Sequence, residues 1–407
     1  MNYVRFCLII LIGLFSSAES SAQVTLPEGV SVYAGGTLDF TSFCTVTGGS
    51  VLAGGNVSHT GGSLFVDEMS GGGGFSAEGA AFQDSFGPLF FNGDISGLGG
   101  PGSVLDGPVT SAQGNIVFLT PASTVINGDV TAAGDVTFDF VFGTINGNVF
   151  AGGTTNITAT VVGFISPLTT SITPFTLQLL PSGRGLTAGT TDIILDTFED
   201  VAIAPGTYGT LTFASGNSVT LTAGRYIFED IVSDFSLNVL NFDTTSGNID
   251  LYVAADNFAF DELIQAIDGD SLFVGSDIPD PQLSNNIFME AAGNLTIGTE
   301  FYGTAFAPNG DVTIENFSTI TGRVFAGGNV TVENLDITTV GESDVVIVPT
   351  TDLLGDLNQD GDVNFLDLAP FIAALASNTY SAEADCNQDG VLNFLDIASF
   401  IAILTGR

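Results

Sequence analysis

The sequence predicts a mainly β chain: short strands wound into a parallel β-solenoid, followed by a small all-α calcium module at the C-terminal end. Three observations carry this expectation. A phrase recurs through the body at a fixed short period, two oxygen-rich loops repeat one pattern near the C-terminus, and 34 Phe accompany a 44% hydrophobic content despite extreme acidity.

The body carries the repeat. Between Gln23 and about Val348 occur SVYAGG (Ser31 to Gly36), SVLAGG (Ser50 to Gly55), DVTAAG (Asp129 to Gly134), NVFAGG (Asn148 to Gly153), TAFAPNG (Thr304 to Gly310) and RVFAGG (Arg323 to Gly328). One spacing separates Ala34 from Ala53, Ala132 from Ala151, and Ala307 from Ala326, and it also separates TVINGDV (Thr124 to Val130) from GTINGNV (Gly143 to Val149). Independent pairs at one period, about 19 residues, mark a repeat architecture. That length of β-branched alternation, punctuated by NG, GG and GD, fits one coil of three short strands joined by tight turns. Parallel ladders then stack like residues up the interior, so Phe and Val are expected inside and the Gly-Asn-Asp tracts at the corners. Tyr208 and Tyr226 continue the rhythm through the centre with one residue lost at a corner.

Three stretches interrupt it. Gly61 to Gly107 is glycine-rich and reads as loops or side excursions. Ser166 to Gly185 holds three prolines and reads as a linker between two solenoid parts, and DELIQAI (Asp261 to Ile267) reads as a short helix. The expected organisation is a first solenoid part over 23–165, a linker or excursion over 166–186, a second part over 187–348, and the calcium module over 349–407.

Residues 1–22 read as a secretory signal: Arg5 precedes the apolar stretch Phe6 to Phe15, and Ser20, Ser21 and Ala22 offer small residues for cleavage. That stretch is shorter than the ~20 residues of a membrane span, and no later segment qualifies, so the mature chain is expected to be exported. Processing leaves four Arg, no Lys and 44 acidic residues. Such a chain repels nucleic acid and anionic lipid, which are bound by cations. It suits a medium rich in salt or divalent ions. Only Cys44 and Cys386 remain, too few for a disulfide framework; they pair with each other, or each is a small buried hydrophobe.

The C-terminal loops supply a hard-cation chemistry. The segments DLNQDGDVNFLDLAPFIAAL (Asp356 to Leu375) and DCNQDGVLNFLDIASFIAIL (Asp385 to Leu404) place oxygen side chains at loop positions 1, 3, 5, 9 and 12. These are Asp356, Asn358, Asp360, Asn364 and Asp367 around Gly361, and Asp385, Asn387, Asp389, Asn393 and Asp396 around Gly390. Calcium takes six to eight oxygens in a flexible cage, and the glycine permits the sharp turn that directs them inward. Position 7, Asp362 in one copy and Val391 in the other, contributes a backbone carbonyl. Two ions are expected, one per loop. Behind each loop, Phe365, Leu368, Ile372 and Leu375, and Phe394, Ile397, Ile401 and Leu404, recur at helical spacing, so each loop leads into one amphipathic helix.

These residues resemble the type I dockerin family, a tandem of calcium loop plus helix with Asp at position 12. The resemblance covers only the C-terminal end, from about Leu353 to Arg407. It implies a cohesin partner on a scaffold or cell-surface protein, and the family's recognition positions 10 and 11 fall on Phe365 and Leu366 and on Phe394 and Leu395. The repeated Phe-Leu pair admits a two-fold-related, dual binding mode. The Lys or Arg that often follows in the helix is missing here, a departure that touches partner recognition and not metal binding. In the body, GTxxAPNGDVTI and GRVFAGGNVTV resemble bactofilin-type and surface-protein β-solenoids of bacteria; that resemblance implies a right-handed parallel β-helix and assigns no activity.

Catalytic constellations are poorly supplied. His59, the lone histidine, sits in GNVSHTGG and is expected in an exposed turn; no Ser-His-Asp or zinc site can be built around it. GGGG at Gly71 to Gly74 lacks the Lys and helix of a phosphate cradle. A polysaccharide lyase would need Arg184, Arg225 or Arg323 as base, and Arg184 and Arg323 read as structural. A glycosidase needs two carboxylates ~5 to 9.5 Å apart, for which Glu199, Asp200, Glu229 and Asp230 are the candidates. The step from Glu199 to Glu229 is not a multiple of the coil length, so the two acidic pairs need not share a face. The sequence therefore favours a non-enzymatic, exported surface or matrix element, structural or adhesive, tied down by a calcium-ordered module. The alternative is a scaffold-borne polysaccharide-degrading enzyme.

Overall fold

The structure is a computed structural model. It describes residues 24–27, 29–78, 85–97, 102–119, 124–139, 143–233, 238–260, 263–267, 270–271, 285–298, 300–315, 319–338, 346–347, 355, 357, 363, 365–377, 384, 386 and 392–405. The body is a parallel β-solenoid of about 13 turns, and the two short α-helices, Leu368–Ser377 and Asp396–Thr405, both lie in the C-terminal module. Residues 1–22 lie outside the described residues, and no described helix is long and apolar enough to cross a membrane.

The recurrent phrases stack on one another. Val32, Tyr33 and Ala34 pair with Val51, Leu52 and Ala53; Val130 to Ala132 pair with Val149 to Ala151; and Ala307 pairs with Ala326. Inward positions form columns of fully buried Val, Ile, Leu and Phe, with Phe118 and Phe138 in contact at 4.9 Å between ring centroids and tilted by 40°. Corners are tied by side-chain amides and carboxylates that reach one coil along. Asp94 Oδ1 accepts from Asn115 N at 2.7 Å, Asn115 Oδ1 from Asp135 N at 2.8 Å, and Asp135 Oδ1 from Thr154 N at 2.6 Å. Each such bond satisfies a turn amide that no strand can reach.

The spatial order of coils is not the chain order. Strand Val30–Ala34 pairs on one edge with Leu38–Ala53 and on the other with Thr319–Ala326, so the first coil sits in the interior of the stack. From there the chain climbs coil by coil to Ile165–Pro167 at one end. It then runs without strand from 168 to 192, resumes at the opposite end with Ile193–Ile194, and climbs back until Thr319–Ala326 and Val330–Thr338 close against the first coil. Gly35 N to Ala326 O at 2.9 Å and Val330 N to Thr37 O at 2.9 Å continue the hydrogen bonding across this junction. Val24–Thr25 pairs antiparallel with Val346–Ile347, so both ends of the solenoid chain meet.

The segment predicted as a linker or excursion is therefore a strap along the outside of the rod. Phe175 exchanges two hydrogen bonds with the Asn92 side chain, at 2.6 and 2.8 Å, and Gln178 O accepts from Tyr33 Oη at 2.7 Å. Leu177 and Leu180 cover an outward apolar cluster of Leu26, Val30, Tyr33, Phe288, Phe306 and Phe325.

Four local expectations are corrected. Gly61 to Gly107 is not an excursion where it is described: Leu64–Gly71, Phe75–Glu78, Leu89–Phe91, Ile95–Ser96 and Val104–Leu105 are coil strands in register with their neighbours. Its glycines serve close stacking, since a Cβ on Gly72 would stand 2.3 Å from Gly54 O. DELIQAI is not a helix, because Leu263–Ile267 is a strand paired with Asn238–Phe242; tertiary pairing overrides the helical pattern. There Gln265 is buried, exchanging hydrogen bonds of 2.7 and 2.8 Å with the Tyr302 backbone. His59 is not in an exposed turn. It lies on strand Val57–Thr60, buried at 2% exposure in register with Phe40, and Nε2 is 3.2 Å from Ser42 O. Finally, Tyr208 does not stack on Tyr226: Gly206 pairs with Tyr226, so the Tyr208 ring lies on Phe228 at 5.2 Å. Cys44 and Cys386 are both buried, and neither is in a disulfide.

Candidate functional site

Each C-terminal loop ends on a carboxylate that folding takes out of water. Asp367 and Asp396, at loop position 12, are both fully buried. Asp367 Oδ1 accepts from Leu357 N at 2.8 Å, and Asp396 Oδ2 accepts from Asn393 N at 2.8 Å. Asn393 Oδ1 in turn accepts from Leu395 N at 2.8 Å. Burying an ionised carboxylate is costly unless a cation balances it, yet beyond Arg323 the chain has no Lys or Arg except Arg407. Oxygen donors without a protein cation are the donor set of a hard divalent ion, so the residues present fit calcium. Asp356, Asn358, Asp360, Asp362, Asn364, Asp385, Asn387, Asp389 and Val391 lie outside the described residues. Among the described residues no group of three or more His, Cys, Asp or Glu is placed to hold a metal.

Helix Leu368–Ser377 and helix Asp396–Thr405 pack through Phe371 and Phe400, whose rings stack at 4.2 Å with an interplanar angle of 9°. Ala384, Cys386 and Leu392 complete that small core. The stripe read from helical spacing divides. Leu375, Ile397 and Leu404 pack against this core, but Phe365, Leu368 and Ile372 of the first copy and Phe394 and Ile401 of the second are exposed, as is Leu395. Phe365 is 78% exposed and Phe394 82%, so the module turns one aromatic from each copy outward. The side chain of Leu366 is not among those described.

The acidic candidates of the body are not assembled into one site. Asp200 begins a strand paired with Ser218–Leu221, whereas Asp230 begins one paired with Thr210–Phe213, and these belong to different sheets. Glu199 N donates to Asn217 Oδ1 at 2.8 Å, and Glu229 N to Gly209 O at 3.2 Å, each on its own sheet's corner. Desolvation raises the Asp230 carboxyl above its ordinary range.

A charged cluster that the sequence pattern did not announce pins the strap. Arg184 clamps Asp250 through Nη1 and Nη2, at 2.5 and 2.8 Å, and reaches Glu290 through Nε at 2.5 Å and its backbone N at 2.8 Å. Arg225 Nε reaches Asp250 Oδ2 at 2.8 Å, and the Arg184 guanidinium lies 5.3 Å from the Phe288 ring centre. Asp250 sits below its ordinary range: burial opposes ionisation, but the two guanidinium groups outweigh it. Glu290 sits above its range because burial outweighs its single partner. Only the scarcity of Arg hinted at this. With Arg323 also buried, no cationic side chain is exposed among the described residues.

A long acidic β-solenoid carrying a paired-loop helical module is the class these features define. The comparison with known families makes the module specific: residues 354–405 match the model of the Dockerin type I domain, so the chain carries a type I dockerin at its C-terminus. Dockerins imply calcium binding and a cohesin partner, and proteins that carry them are typically extracellular or on the cell surface. No curated protein and no solved structure matches the chain.

Proposed function

We propose that this protein is an exported, non-catalytic rod that serves as a surface or matrix element, held on a cohesin-bearing scaffold or surface protein by its dockerin. One observation carries the reading: Phe365 and Phe394, at equivalent positions of the two copies, stand in solvent while Phe371 and Phe400 hold the module together inside. Exposed aromatics rimmed by apolar residues are the anchors a protein partner buries. In this reading residues 1–22 direct export, and two calcium ions, held by Asp356 to Asp367 and Asp385 to Asp396, order the helices. Leu366 and Leu395 accompany the aromatics in the contact.

The test is capture from an envelope extract of the source organism on immobilised signal-free protein, with calcium and with chelator. A cohesin-bearing protein retained only with calcium, and lost from the Phe365→Ala, Phe394→Ala double variant, is the expected result. Retention indifferent to chelator or to the double variant refutes the reading.

A further inference from the structure

The lower end of the rod carries a residue that breaks the local rule of its own ladder. The turn at Phe198 stacks on the turn of the next coil, where Phe198 N donates to Ser215 O at 3.0 Å. That next turn uses Gly216 at φ 75°, as a left-handed corner should. The end coil keeps the same conformation, φ 62°, with a phenylalanine. A bulky residue there is strained, and such strain persists where the side chain has a use of its own.

The side chain is placed for one. A Cβ built on Gly216 would stand 2.8 Å from Phe198 Cδ1 and Cε1, so the ring rests on the glycine backbone, while Phe198 as a whole is 81% exposed. Strand Asp200–Ile203 is the last of its sheet, and among the described residues no coil covers it from below. Within two residues of Phe198 along the chain, Asp196, Glu199 and Asp200 are also exposed. Glu199 is held in place: its Oε2 accepts from Asp196 N at 3.0 Å, and its own N donates to Asn217 Oδ1. Next to it Asn217, 1% exposed, has an Nδ2 with no hydrogen-bond partner among the described residues.

We propose that Phe198 is a stacking platform for a neutral glycan, with Glu199, Asp196 and Asp200 accepting from the sugar hydroxyls. An aromatic face attracts the polarised C–H face of a pyranose, and ionised carboxylates are acceptors only, matched to a ligand that is rich in hydroxyl donors. Charge decides among ligands: with no exposed cation among the described residues, an anionic polymer is repelled from this tip. The proposal stands on the tip alone and holds whether or not the dockerin finds its partner.

The decisive variant is Phe198→Gly. Glycine adopts this φ without strain, so the variant removes the ring without lowering the melting temperature. Signal-free protein in calcium is run through native gels containing soluble mixed-linkage β-glucan, arabinoxylan, galactomannan or, as the anionic control, polygalacturonate. Retardation by at least one neutral polymer and none by polygalacturonate is expected. Phe198→Gly weakens it at least tenfold, and Glu199→Gln weakens it less. The proposal falls if no neutral polymer retards the protein, or if Phe198→Gly binds as the parent does. It falls equally if the variant abolishes only a concentration-dependent self-association, which would make the ring a contact between rod ends.

Discussion

Arg184→Met should loosen the strap, and the loss should depend on pH in a direction the cluster fixes. Methionine keeps much of the side-chain volume but removes the guanidinium that clamps Asp250 and reaches Glu290. Asp250 retains Arg225, so the carboxylate left without a cation is Glu290, which is fully buried. Removing one partner of a buried pair costs about 3–5 kcal/mol. Glu290 has a way out, because it can take up a proton. From its ordinary value of 4.5, neutralising it costs about 3.4 kcal/mol at pH 7 but about 0.7 kcal/mol at pH 5, at 1.36 kcal/mol per unit. Its pKa is already raised in the parent, and a raised carboxyl contributes stability below its unfolded value that is lost as pH climbs through the folded one. The variant removes the pull of Arg184 and raises it further. Because the parent's raised Glu290 already carries part of this cost, denaturant unfolding followed by circular dichroism should show a deficit of at most about 3 kcal/mol at pH 7 that shrinks to under about 1 at pH 5. Glu290→Gln added to Arg184→Met should recover most of the pH 7 loss. A deficit equal at both pH values, or none at either, refutes the assignment of the strap to this cluster.

Chelator should abolish the lowest-temperature calorimetric transition, that of residues 354–405, and leave the solenoid transition within a few degrees; a trace unchanged by chelator contradicts calcium-ordered folding. Phe371→Ala should cost the module about 3–5 kcal/mol, because its ring is buried against Phe400, whereas Phe365→Ala should change stability by under about 0.5 kcal/mol, both read from thermal unfolding in calcium. Gly72→Ala should destabilise the rod by about 1–3 kcal/mol in denaturant melts, since its methyl would meet Gly54 O at 2.3 Å and a backbone oxygen cannot swing aside as a side chain would.

The solenoid was legible because its coils are built from like residues at like spacing: Ala132 and Ala151 are in register, and so are Ala307 and Ala326. Periodicity reports a coil's length and says nothing of which coil lies above which. Hence the interior position of Val30–Ala34 and the return strap could not be read from it. Glycine content misled at Gly61 to Gly107, where the residue marks backbone approach between coils as well as loops. At Leu263–Ile267 a weak helical pattern yielded to a strand on the sheet edge that the preceding coil left open. His59 followed the two-residue alternation from Val57, a strand signal hidden by the turn residues around it. The dockerin was readable because each of its two copies packs its motif into one short, unbroken run of sequence. The charged cluster brings Arg184 from the strap to Arg225, Asp250 and Glu290 on three separate coils, where no local pattern gathers them.

Because stacking order differs from chain order, the cost of breaking a strand should follow place in the rod and not distance from a terminus. Val30–Ala34 lies near the start of the chain but is bonded on both edges, to Thr319–Ala326 and to Leu38–Ala53. Ile165–Pro167 lies mid-sequence but ends the stack, with one strand partner among the described residues, Val149–Ala151. It already contains a proline, and Leu168 N donates to Ala151 O at 2.8 Å, so alternation turns the amide positions of Pro167 and Ile165 away from the ladder. Val32→Pro removes the bond its amide makes to Leu38–Ala53 in a strand held on both edges, and forces a ring into a packed column, a loss of about 3 kcal/mol or more. Ile165→Pro removes no ladder bond and should cost under about 1 kcal/mol. Thermal melts of the two variants measure the difference. Equal losses, or a greater loss at Ile165, would mean that place in the stack does not set the cost of breaking a strand.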